Sequence, residues 1–223
     1  MNDKVRDILA ELKDHAPFTM FGAVTGIVVM LLFKNLSESV EHSLFYVFHP
    51  IHVVLGAIVT TAMFRLHAKH QKAAVIILVS LIGSLGTCTV SDSIIPYIGE
   101  QLLGMRIDIH GHSQSFAHEA HIGFIEGWFV VLPAAVLGML IGYFKPNTKF
   151  PHAGHILVST WASAFHMLMA MGSEVSAIKI VGGFVFLFLA VWLPCCFSDL
   201  ILPMLFIKTD GPCKCVYHGH GTE

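Results

Sequence analysis

Long apolar stretches separated by short polar connectors dominate the chain. Six stand out, at residues 17–33, 44–64, 73–103, 122–144, 154–171 and 178–207. A hydrocarbon core of about 30 Å takes roughly 20 apolar residues of helix, so each stretch predicts a transmembrane helix. The third and sixth are too long for one straight span. Both contain a Ser-Asp pair followed by proline, Ser91-Asp92-x3-Pro96 and Ser198-Asp199-x3-Pro203. A proline inside a helix removes a backbone donor and presses on the carbonyl one turn upstream, so both helices are expected to be broken or kinked there.

These two segments belong to a duplicated pattern. Cys88-x2-Ser91-Asp92-x3-Pro96 recurs as Cys195-x2-Ser198-Asp199-x3-Pro203, and His49-x2-His52 recurs upstream as His152-x2-His155. His15-x2-Phe18 and His121-x2-Phe124 add a weaker echo at the start of the first and fourth stretches. Matches in the same order in both halves point to an internal repeat. An odd number of spans per unit makes the second unit enter the membrane from the opposite side. The expected fold is therefore an all-α integral membrane protein, with six transmembrane helices as two inverted three-helix repeats, a design shared by many secondary transporters.

The connectors orient this arrangement. With both termini on one side, that side holds all but three (Lys34, Arg106, Lys179) of the 13 Lys and Arg residues. Positive charge marks the cytoplasmic side, so both termini are expected in the cytoplasm and the protein in the plasma (inner) membrane. The chain then divides into an N-terminal amphipathic segment at 1–16, repeat one at 17–104, a His-rich external loop at 105–121, repeat two at 122–207 and a cytoplasmic Cys/His tail at 208–223. Nothing in the first fifteen residues reads as a cleavable signal.

Composition agrees with the pattern. Hydrophobic residues make up 55% of the chain and charged residues 13%, and the mean hydropathy is +0.71, which suits a polytopic membrane protein rather than a soluble domain. A net charge of -2 without a basic run offers nothing to nucleic acid. The five cysteines do not have the spacing of a secreted disulfide scaffold. The 15 histidines outnumber Lys and Arg together, and several lie in apolar segments, where an ionisable group calls for a partner or a function.

The candidate chemistry stems from that cost. Cys88 and Asp92 share a helix face, as do Cys195 and Asp199. With Ser91 and Ser198 they form the expected ion-binding centre at the midplane. His49, His52, His152 and His155 are expected metal ligands lining the approaches, joined by Cys196, Glu126 and His166, because imidazole and thiolate suit transition ions. His110, His112, His118 and His121 in the loop, and Cys213, Cys215, His218 and His220 in the tail, are expected to capture or hand off metal peripherally. The plainer readings are that the aspartates cap broken helices, that interfacial histidines bond headgroups or carbonyls, and that the loop is a polar connector.

The function expected from these residues is transport of a divalent transition-metal cation (Zn, Fe, Mn, Ni or Cu) as substrate, by alternating access between the repeats. No organic cofactor and no enzymatic activity are expected. The partners are the lipid bilayer and the metal ion, with a homodimer the assembly to look for. No G-x4-G-K-[ST] nucleotide loop is present. Two alternatives stand beside this reading: a Na⁺- or H⁺-coupled transporter of a small organic solute, and a membrane-embedded His-cluster metalloenzyme or haem protein.

Overall fold

The computed structural model describes residues 3–67, 73–105, 123–146, 149–171 and 176–202. Among these residues the protein is all-helical. The helices are α1 (Asp3–Phe33), α2 (Glu38–His67), α3 (Ala73–Leu102), α4 (Trp128–Phe144), α5 (Lys149–Met171) and α6 (Ala177–Cys196). A short helical turn at Gly123–Glu126 precedes α4.

Four segments are long and apolar enough to cross a membrane: His15–Phe33, Ser39–Leu66, Ala73–Leu102 and Ala177–Asp199. The other two expected spans differ from these in instructive ways. Helix α4 is apolar but only 17 residues long. Helix α5 has 23 residues, but its buried positions include His155, Ser159, Thr160, Ser163 and His166. A helix enclosed by other helices does not need an apolar surface, so hydropathy alone passes it over.

The distribution of side chains is that of a membrane protein. Leu32, Phe144, Ile178 and Val181 are exposed, whereas His49, His52, Asp92, Ser159, His166 and Asp199 are buried. An apolar exterior around a polar interior suits lipid and would be a liability in water.

Helices α2 and α5 form the centre. Helix α2 packs against α3, α4 and α5; α5 packs against α1, α6 and the second half of α3. Two glycines let α4 approach α2 closely: a Cβ on Gly138 would lie 2.3 Å from the Val54 carbonyl oxygen, and one on Gly142 would lie 2.5 Å from that of Ile58. This is small-x3-small packing, in which backbone contact replaces the hydrophobic drive that lipid cannot supply.

Both Ser-Asp segments are π turns. Helix α3 widens at Val90–Ile94, where the Ile95 N–H donates to Val90 O; α6 passes into a second turn at Phe197–Ile201, where the Leu202 N–H donates to Phe197 O. This i→i+5 bonding is the form that the expected irregularity takes. Pro96 cannot return a bond to the Asp92 carbonyl and would press on it; one inserted residue relieves that contact without ending the helix. The insertion also rotates the rest of α3 relative to its first half, and Ser91, Asp92 and Ser93 are all buried.

Candidate metal centre

The two π turns carry the aspartates to the histidine pairs on the central helices. Oδ2 of Asp92 lies 2.8 Å from Nδ1 of His49 and 2.7 Å from Nδ1 of His52. Oδ2 of Asp199 lies 3.1 Å from Nδ1 of His152 and 3.0 Å from Nδ1 of His155. An ionised carboxylate only accepts, so each imidazole donates its Nδ1–H. In the neutral ring this fixes the tautomer and leaves the lone pair on Nε2. Metal-ligating histidines are commonly held by this carboxylate–imidazole arrangement.

The inner member of each pair meets the other. His52 and His155 face one another with ring centroids 4.6 Å apart. With Cys88 they form a buried group whose three ligand atoms all lie within 4.8 Å of one another. Cys195 completes the surroundings, with its Sγ 3.9 Å from Nε2 of His52 and 3.7 Å from Oγ of Ser159. Among the described residues Nε2 of His155 has no nitrogen or oxygen hydrogen-bond partner. Cys88 and Cys195 are free thiols. Metal–nitrogen bonds of about 2.0–2.1 Å and metal–sulfur bonds of about 2.3 Å put tetrahedral ligand atoms roughly 3.3–3.8 Å apart, so closure by about 1 Å would hold an ion.

Room for that ion comes from Gly56, one turn beyond His52 on α2. A Cβ there would lie 3.1 Å from Nε2 of His155 and 3.4 Å from Sγ of Cys88. Any larger residue would fill the space between two of the three donors.

The aspartates sit behind the imidazoles, as orienting groups. Oδ1 of Asp92 is within 2.8 Å of Ser91 Oγ and 3.4 Å of Ser159 Oγ, whereas Oδ1 of Asp199 has no hydrogen-bond partner among the described residues. Ser91 also accepts at its carbonyl oxygen from the Ser163 hydroxyl at 2.9 Å, and Ser198 pairs with Thr60 at 2.9 Å. Each π turn is thereby tied to the central helix of the other half.

The remaining expected residues fall elsewhere. Cys196 packs in a cluster with Val59, Met63 and Trp192. His152 meets His15 edge-on at 4.8 Å. Glu126 accepts a hydrogen bond from the Tyr46 hydroxyl, and His166 Nδ1 lies 2.7 Å from Glu100 Oε1. His110, His112, His118, His121, Cys213, Cys215, His218 and His220 lie outside the described residues.

Two buried or closely packed positions, Glu100 outside the centre and Gly56 within it, escaped the sequence reading. Glu100 lies eight residues beyond Asp92 on α3 and is buried; an acid in an apolar span was its signal. Gly56 carried none, because only the crossing of α2 and α5 gives it a role. No family model, curated protein or solved structure matches the chain, so the site stands on its own chemistry.

Proposed function

We propose that the protein is a membrane transporter for a divalent transition-metal cation, bound midway by His52, His155 and Cys88 with Cys195 beside them. The observation that carries this reading is the meeting of two buried imidazoles from different halves of the chain, each with its Nδ1 held by an aspartate. A structural metal needs no such pairing across halves. A substrate ion that must be released to either side benefits from it.

The finer fold, two inverted three-helix repeats, is part of this proposal. Its support lies in reciprocal contacts. Cys195 reaches His52 in the first half, and Cys88 joins His155 in the second. Ser163 bonds the first π turn at Ser91, and Thr60 bonds the second at Ser198. Helix packing shows the same exchange, with α2 against α4 and α5 against α1. Rocking one unit against the other would separate Cys88 from His155 and Cys195 from His52, releasing the ion. This is alternating access about a fixed centre.

The donor set favours transition ions over Na⁺ or Mg²⁺. Both aspartates are turned toward imidazole nitrogens, while nitrogen and sulfur are grouped at the centre. Such donors suit Zn²⁺ and its neighbours. The test is zinc uptake into proteoliposomes by the wild type, His52→Ala and His155→Ala. The proposal expects flux from the wild type and at least a tenfold loss in each variant; equal flux from all three would defeat it.

A further inference from the structure

A second buried acid–base pair lies outside the centre. Oε1 of Glu100 and Nδ1 of His166 are 2.7 Å apart, and both side chains are 1% exposed. Counting along α5, His166 is about 16 Å from His155 at 1.5 Å per residue, toward the end of the bundle where α3 stops and α6 starts. One aromatic ring separates the pair from the His49–Asp92 cluster: Phe45 stacks on His49 at 5.5 Å and meets His166 edge-on at 5.4 Å. Glu126, held by Tyr46, lies close enough to His166 to interact with it electrostatically.

These groups break the duplication. Aligning the Cys-x2-Ser-Asp elements places Ile207 opposite Glu100, and aligning the His-x2-His elements places Met63 opposite His166. The groups that would meet the ion occur in both halves; this pair occurs in one. A substrate site reached from two sides calls for symmetry. A site that binds a driving ion from one side does not, and a buried carboxylate–imidazole pair binds protons.

We infer that Glu100 and His166 form a proton-binding site that exchanges a proton for each cation passing to or from the centre. In the loaded pair one extra proton makes His166 an imidazolium beside the Glu100 carboxylate. A divalent cation entering past Phe45 repels that imidazolium, and the proton leaves to the water at this end. Once the cation has moved on, the carboxylate favours a proton returning to His166. Among the described residues, the other titratable or charged groups at this end include Glu41, His42, Tyr46 and His49 on α2, Glu126 before α4, Tyr97 on α3, Lys179 on α6 and Lys34 after α1. The exchange step rests on the transport reading; proton binding by the pair does not.

The experiment uses the full chain in two forms. In proteoliposomes containing a pH-sensitive dye, a Zn²⁺ pulse should evoke proton movement with the wild type. Glu100→Gln and His166→Gln should each lower the protons moved per zinc at least tenfold, while zinc bound per protein in detergent stays at the wild-type value. Wild-type proton movement in both variants would overturn the inference. In detergent without metal, infrared difference spectra should contain a carboxylate stretch that shifts as its imidazole partner titrates between about pH 5 and 9 and that is absent from Glu100→Gln. Its absence from the wild type would overturn the proton site even if zinc flux proved real. Its presence in a protein that carries no zinc would leave the proton site standing and defeat the transport reading alone.

Discussion

Replacing the two aspartates separately should weaken metal binding to different extents, and the order is fixed by their surroundings. Asp92 binds its imidazoles at 2.8 and 2.7 Å and is itself buttressed at Oδ1 by Ser91 at 2.8 Å and Ser159 at 3.4 Å. Asp199 binds its imidazoles at 3.1 and 3.0 Å, and its Oδ1 has no hydrogen-bond partner among the described residues. Charge-assisted bonds are the shorter and stronger ones, so Asp92 holds His52 more firmly than Asp199 holds His155. An asparagine in either place turns a charged acceptor into a neutral amide and loosens the tautomer that aims Nε2 at the ion. Loss of such a supporting group usually weakens metal binding about 10–100-fold, or roughly 1.4–2.7 kcal/mol. Asp92→Asn should fall near the upper end of that range and Asp199→Asn near the lower. Competition between the detergent-solubilised protein and a chromophoric zinc chelator measures both, with thermal melting of the metal-free protein confirming that each variant is folded. Wild-type affinity in both variants, or the greater loss in Asp199→Asn, would refute the reasoning.

Three further outcomes rest on the same contacts. Gly56→Ala should separate folding from binding: alanine favours a helix over glycine by about 0.5–1 kcal/mol, yet its methyl group falls 3.1 Å from Nε2 of His155 and 3.4 Å from Sγ of Cys88. The melting temperature should therefore hold while zinc affinity drops at least tenfold; unchanged affinity would remove Gly56 from the site. Gly138→Leu should force α4 off the Val54 carbonyl and destabilise the protein by about 1–3 kcal/mol through overpacking, read as a lower midpoint of thermal unfolding in detergent, without altering the donor set. Single cysteines replacing Lys13 and Lys145, in a background without native cysteines, should react with a membrane-impermeant maleimide from the cytoplasmic face, and those replacing Lys34 and Lys179 from the opposite face. Labelling of Lys34 and Lys145 positions from one side would break the six-span topology.

Sequence reading reached the elements more readily than their meeting point. Each of the six apolar stretches corresponds to a helix, although only those of α1, α2, α3 and α6 are long and apolar enough to cross a membrane. Pro96 marks an irregularity in α3, but a break, a kink and a π turn all relieve the same clash against the Asp92 carbonyl. The spacing of Cys88 and Asp92 puts both on one face and cannot say which one would meet an ion. That depends on what the neighbouring helices place opposite: imidazole nitrogens of α2 stand against Asp92, and His155 of α5 is grouped with Cys88. The histidine pairs were expected along separate approaches. The structure instead brings His52 and His155 to one point, because α2 and α5 cross there. Such a crossing is set by contacts such as Gly56 against His155, Gly154 against Leu55 and Phe48 against Trp161, which no motif spacing encodes.

X-ray absorption at the zinc edge, on the zinc-loaded full chain, tests the centre most directly. A centre built from His52, His155 and Cys88 predicts nitrogen scatterers at about 2.0–2.1 Å with imidazole outer-shell features and sulfur at about 2.3 Å, the sulfur contribution falling in Cys88→Ser. A shell of oxygen alone, or a spectrum untouched by loss of Cys88, would contradict it.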